Sequence, residues 1–115
     1  MFKEMNFRKI YIITGRTDLR KGISGLTTLV RMKYQMDTLE PETLFLFCGR
    51  SAKKIKGIFW DDTGYCLIYK VLTRGGFQWP RNKEEAKAVT KEEFQRLMEG
   101  FSIESTIPGG SRCNV

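Results

Sequence analysis

The side chains able to do chemistry fall in two short basic stretches. Thr17-Asp18-Leu19-Arg20-Lys21-Gly22 opens a helical pattern, so a helix start with free backbone N–H groups would lie beside Arg20 and Lys21. That combination suits a phosphate. The alternative is a solvated first turn in which Arg20 pairs with a nearby carboxylate. The second stretch is the loop Arg50–Lys56, where Arg50, Lys53, Lys54 and Lys56 have the charge and spacing to follow a phosphate backbone. Arg74 and Arg81, at other loop ends, add charge if they project the same way, and solvated loop charge is the alternative reading.

Other chemistries are poorly served. Histidine is absent, which removes the usual base of a Ser or Cys nucleophile and the commonest zinc ligand. The three cysteines, Cys48, Cys66 and Cys113, include no Cys-x-x-Cys pair and cannot supply a four-ligand site alone. Asp61-Asp62 is the one acidic pair in the central stretch, and a two-metal nuclease needs converging carboxylates. Asp61-Asp62-Thr63-Gly64 is also the composition of a tight turn, in which Asp side chains bond local N–H groups, and the turn is the favoured reading. Gly49-Arg50-Ser51-Ala52-Lys53-Lys54 lacks the glycine spacing and the Lys-Ser/Thr ending of a P-loop. No cofactor and no metal is therefore expected, and no catalytic residue is assigned.

Charge points to a polyanion. The 115-residue chain carries a net charge of +7, and between Arg50 and Lys83 eight basic residues face two acidic ones, so nearly all the excess lies in one stretch. Clustered charge of this kind marks an acidic partner such as nucleic acid, against the blander reading of solubility. No apolar run approaches the ~20 residues of a membrane span, and the N-terminus lacks the apolar segment of a signal peptide. A cytoplasmic protein with Cys48 and Cys66 buried and reduced is the expectation.

The elements that must position these residues are legible from periodicity. Leu44–Cys48, Ile55–Trp60, Tyr65–Leu72 and Phe77–Trp79 read as four consecutive strands, joined too tightly for parallel crossovers and hence as an antiparallel meander. Lys9–Ile13 reads as a first strand after a loosely held lead-in. Leu19, Ile23, Leu26 and Val30 mark one face of a long helix running from a Thr17 or Asp18 N-cap to about Gln35–Thr38. Gly22 and Gly25 inside that helix each cost about 1 kcal/mol relative to Ala, which favours close approach of helix to sheet over the alternative of a ligand at the helix start. Ala86–Val89 is a candidate extra strand. Thr90-Lys91-Glu92-Glu93 is a capping box opening a second helix with Phe94, Leu97 and Met98 as its stripe and Gly100 as its stop.

The fold class is thus α+β: a mainly antiparallel sheet of five to six strands, with a long helix after the first strand and a C-terminal helix, both on one face. Residues 1–101 form one domain and residues 102–115 a disordered tail. Phe45, Phe47, Phe59, Trp60, Tyr65, Tyr69, Phe77 and Trp79 are too dense for all to be core, so some rings lie on an outer sheet face, able to stack on bases or fill a partner's groove. Phe59 is expected to point inward.

Thr-Asp-Leu-Arg-Lys-Gly (17 to 22), Leu-Phe-Leu-Phe-Cys-Gly-Arg (44 to 50), the run from Ile55 to Lys70 and Gly-Phe-Gln-Trp-Pro (76 to 80) together resemble a known family. It is that of the TnpB-type accessory protein, the second reading frame, of the insertion sequence sixty-six family of bacterial transposable elements. The resemblance covers roughly residues 8 to 101. It implies a small protein encoded beside a separate transposase and assisting transposition, without established catalytic activity. The matching positions are Arg20, Lys21, Gly22, Arg50, Lys56, Trp60, Asp61 and Gly64, followed by Tyr69, Lys70, Leu72, Gly75, Phe77, Trp79 and Pro80. Val71 and Gly76 stand where relatives often carry basic residues.

Residues and resemblance together lead to one expectation: a non-catalytic accessory protein that binds DNA through Arg20, Lys21, Arg50, Lys53, Lys54, Lys56, Arg74 and Arg81. Its partners would be DNA and the transposase of the same element, with no membrane. The alternative is an adaptor that docks on the transposase through its aromatic sheet face.

Overall fold

In a computed structural model, residues 6–100 are described. The expected disordered tail and the first five residues of the expected lead-in lie outside them. Five strands, β1 (Lys9–Ile13), β2 (Thr43–Cys48), β3 (Lys54–Trp60), β4 (Tyr65–Val71) and β5 (Ala86–Val89), form one sheet in the order β4-β3-β2-β1-β5. The helices are α1 (Ile23–Lys33), between β1 and β2, and α2 (Lys91–Met98), after β5. β1 pairs with β2 in parallel, and the other pairings are antiparallel. Parallel pairing is what a long crossover through a helix permits, whereas the short turns after β2 and β3 allow only hairpins.

β2 is central, and all six of its residues are buried, so both of its faces are covered. Alternation along β2 therefore divides the core in two. Leu44, Leu46 and Cys48 join Ile10, Ile12 and Ile55 on one side, covered by Phe77, Trp79 and Leu97. Phe45 and Phe47 join Ile13 and Ile58 on the other, covered by Leu26 and Val30 of α1. Phe7, at the start of the described chain, is also buried, and its ring meets Phe59 edge to face with centroids 5.1 Å apart. Phe59 packs on the first of these clusters, on the inner side that alternation predicts.

Four expectations change. The helices lie on opposite faces of the sheet rather than one, because α2's Leu97 joins the Leu46 cluster while α1 covers the Phe45 cluster. α1 is shorter than expected: 11 residues, with Gly22 as N-cap. Upstream, Asp18 accepts from Arg20 N at 3.0 Å and its carbonyl from Lys21 N at 3.1 Å, a local turn that displaces the first helical turn. The predicted close approach of glycines to the sheet is absent, since a Cβ at Gly22 would meet nothing within 4 Å and one at Gly25 only the Lys21 side chain.

Finally, Phe77–Trp79 forms no strand. Its residues are anchors: Phe77 N donates to Ala52 O at 2.6 Å, and Trp79 Nε1 to Ile13 O at 2.9 Å. Both rings are buried on the Leu46 side of the sheet. α2 follows expectation: Thr90 and Glu93 form the reciprocal capping box, and Gly100 stops the helix at φ +93°, a region that suits glycine.

Trp79→Ala is expected to destabilise the protein by about 3–5 kcal/mol, as for truncation of a buried ring. Leu67→Ala, at a position 39% exposed, should change stability by no more than about 0.5 kcal/mol. Urea unfolding of the two variants checks both values.

Candidate nucleic-acid interface

Parallel pairing sends the segments after β1 and after β2 to the same end of the sheet. Ile13 lies beside Phe47, so Thr14–Gly22 and Gly49–Lys53 emerge next to each other. The antiparallel hairpins bring the start of β3 and the end of β4 to the same place, with Lys54 opposite Val71 and Lys56 opposite Tyr69. An open groove of about 600 Å³ results, lined by Arg16, Thr17, Asp18, Leu19, Arg20, Gly49, Arg50, Ser51, Lys54 and Tyr69. Four cations face one carboxylate there.

The groove walls are held from within. Thr17 is buried, and its N–H bonds Cys48 O at 2.9 Å, tying the segment after β1 to the end of β2. Leu19 is seated on Gly49, where a Cβ would approach its Cδ1 to 2.9 Å and push this side chain aside. Lys56 Nζ donates to Lys21 O at 3.1 Å and lies 5.7 Å from the centroid of the Tyr69 ring.

Arg20 takes up the alternative weighed for it: its Nε and Nη2 grip both oxygens of Asp18, with Nη2–Oδ2 at 2.8 Å. The hydrogen bond from the guanidinium, then that from the Arg20 backbone, holds the Asp18 carboxyl down to about 2. The Arg20 side chain is nonetheless 91% exposed at the groove. Because the folded carboxyl titrates below its ordinary value, any stability from this pair is present above the unfolded pKa and lost as pH falls through about 2.

The expected DNA-contacting residues divide. Arg20, Arg50 and Lys54 line the groove, and Lys21 and Lys56 are bonded to each other beside it. Lys53 belongs to the same hairpin turn, and its carbonyl accepts from Leu72 N at 2.8 Å. Arg74 is exposed in the loop after β4, at the same end of the sheet but outside the groove lining. Arg81 is bound differently: Nη1 donates to Gly15 O and Nη2 to Gly49 O, each at 2.8 Å, with Cys48 Sγ 3.5 Å from Nη2. It fastens together the chain just after β1 and just after β2, and is not among the residues lining the groove. Cys48 is buried, and burial raises its thiol pKa against the opposing charge of Arg81.

The remaining family-pattern residues are mostly architectural. Asp61 Oδ1 accepts from Thr63 N, Thr63 Oγ1 and Gly64 N within 3.0 Å, and the Thr63 bond leads in holding its carboxyl below the ordinary value. Asp61 is thus committed to the turn, as its composition predicts, and Cys66 Sγ bonds its other oxygen at 3.4 Å. That turn follows Trp60, at the far end of β3 from Lys54, roughly 20 Å along the strand at its usual rise. Trp60 meets Tyr65 edge to face, Gly22 caps α1, and Phe77 and Trp79 are core. Pro80 O accepts from Gly15 N at 2.8 Å. Lys70 lies opposite Ile55, on the face away from Tyr69. Among the described residues no group of three or more His, Cys, Asp or Glu side chains is placed to hold a metal ion, and no helix is long and apolar enough to cross a membrane.

Arg16 is the groove residue that sequence reasoning missed. Its signal was position: it follows the Gly15 break after β1, and the crossover through α1 makes β1 parallel to β2, which puts it beside Arg50.

Fold and groove define a small α+β domain with a basic, aromatic-edged groove at one end of its sheet. The chain belongs to the family described as IS66 Orf2 like protein, whose profile matches residues 8–107. Two uncharacterized proteins of Sinorhizobium fredii (strain NBRC 101917 / NGR234), y4hO and y4jC, are 36% and 32% identical to it over 93 residues. Each alignment covers 81% of this chain, with 80% of the first relative and 79% of the second. No solved structure matches the chain.

Two measurements check the site's internal bonding. An NMR titration should find the Asp18 carboxyl changing near pH 2 and returning toward 3.8 in Arg20→Ala. Arg81→Ala should lower stability in urea by about 1.5–3 kcal/mol, because a charged donor to two carbonyls is lost.

Proposed function

We propose that this protein is a non-catalytic accessory component of a transposition system and that it binds DNA through the basic groove. Family membership supports the accessory role. The observation that carries DNA binding is convergence: Arg16 and Arg20 from the segment after β1, and Arg50 and Lys54 from the hairpin of β2 and β3, meet in one groove, opposed there only by Asp18. Lys21, Lys53, Lys56 and Arg74 add charge at the same end of the sheet. Phosphates are the natural ligands of such a surface, and contacts to them position a nucleic acid without reading its sequence. Arg81 contributes by fixing the groove's shape rather than by contact.

A second reading has its own support. β4 is an edge strand, and Leu67, Tyr69 and Val71 on it are 39%, 53% and 47% exposed. An open edge with apolar side chains suits strand addition by another protein, and the transposase of the same element is the partner to offer. Association with purified transposase in the absence of DNA would favour this adaptor reading.

Fluorescence anisotropy across a salt series tests the first. With about five phosphate contacts, log K on a duplex should fall against log salt with a slope of about −4 to −5, and on a single strand with a slope of about −3.5. Arg50→Glu with Lys54→Glu should weaken binding and reduce the slope by about 2. Unchanged affinity and slope in that variant would remove the groove from the interface.

A further inference from the structure

The groove's aromatic edge says more about its ligand, on the premise that the groove binds DNA. Tyr69 is 53% exposed although it is a large ring on a sheet face, and it lines the groove together with Arg16, Arg20, Arg50 and Lys54. Lys56, directly opposite on β3, holds the ring by a cation–π contact at 5.7 Å. Alternation along β4 puts Leu67 and Val71 on the same face, two residues to either side, and both are exposed. The apolar strip thus extends about 7 Å each way from Tyr69 at the usual strand rise.

A duplex does not use such a strip. Its base faces are hidden in the stack, and it presents phosphates and groove edges, so cations alone would serve it. A single strand offers a phosphate track and free base faces together. A basic groove lined with an exposed ring matches both, since each base has a π-face to stack. We infer that the groove takes single-stranded DNA, with phosphates held by Arg16, Arg20, Arg50 and Lys54 and an unpaired base stacked on Tyr69. The cations that line the groove with the ring favour this ligand over an apolar protein segment, which would offer them no anion.

The test is anisotropy of the full-length protein on one labelled oligonucleotide, offered as a single strand and as the annealed duplex at the same salt concentration. The single strand should bind more tightly, and Tyr69→Ala should weaken it by about fivefold to 100-fold, the range for loss of one stacked base. Duplex affinity should be unchanged in that variant, and Tyr69→Trp should retain single-strand affinity. Equal urea midpoints would show that the exposed position has not altered folding. Duplex binding as tight as single-strand binding, or equal losses on both ligands in Tyr69→Ala, would overturn the stacking inference and leave DNA binding standing. Absence of binding to either ligand at low salt would remove both.

Discussion

The parallel pairing of β1 with β2 is the constraint on which the rest of the molecule depends. It exists because α1 carries the chain back across the sheet between the two strands. It has two consequences. β2 becomes an interior strand with six buried residues, which forces a covering layer on each face. The segments leaving β1 and β2 also exit together, and ligands of sheets with parallel strands characteristically gather outside such carboxyl ends. The basic groove occupies that position, built on the one parallel pair in an otherwise antiparallel sheet.

Much of this was legible from residue pattern, and the failures have physical causes. β1 through β4 follow from β-branched and apolar runs bounded by turn residues, and the Thr90 capping box from its local spacing. Phe77–Trp79 carries the same composition as a strand, yet its rings serve as anchors over the sheet, a distinction made by tertiary context alone. The start of α1 was misplaced because Asp18 satisfies local N–H groups from a turn as readily as from a cap. Assignment of the helices to a single face failed for another reason: periodicity shows which stripe of a helix is apolar but not which side of the sheet it meets.

The candidate site divides along the same line. Arg50 and Lys54 were visible as a charged loop, and Arg20 as part of a charged stretch. Arg16 and Tyr69 became members only through pairing register, which sequence spacing does not disclose. Arg81 and Asp61 show the converse. Both have the residue type expected at a reactive surface, yet hydrogen bonds to backbone commit one to joining two strand ends and the other to closing a hairpin. Charge counted along a sequence overstates the charge offered to a ligand whenever some of it is spent holding loops in place.

That fastening by Arg81 sets the thermodynamic character of whatever the groove receives. Together with the Thr17–Cys48 bond and the seating of Leu19 on Gly49, it shapes the rim before a ligand arrives. A preformed rim spares association most of the entropy of loop ordering. The heat-capacity change of binding should then reflect only the surface covered, without the larger signature of coupled folding.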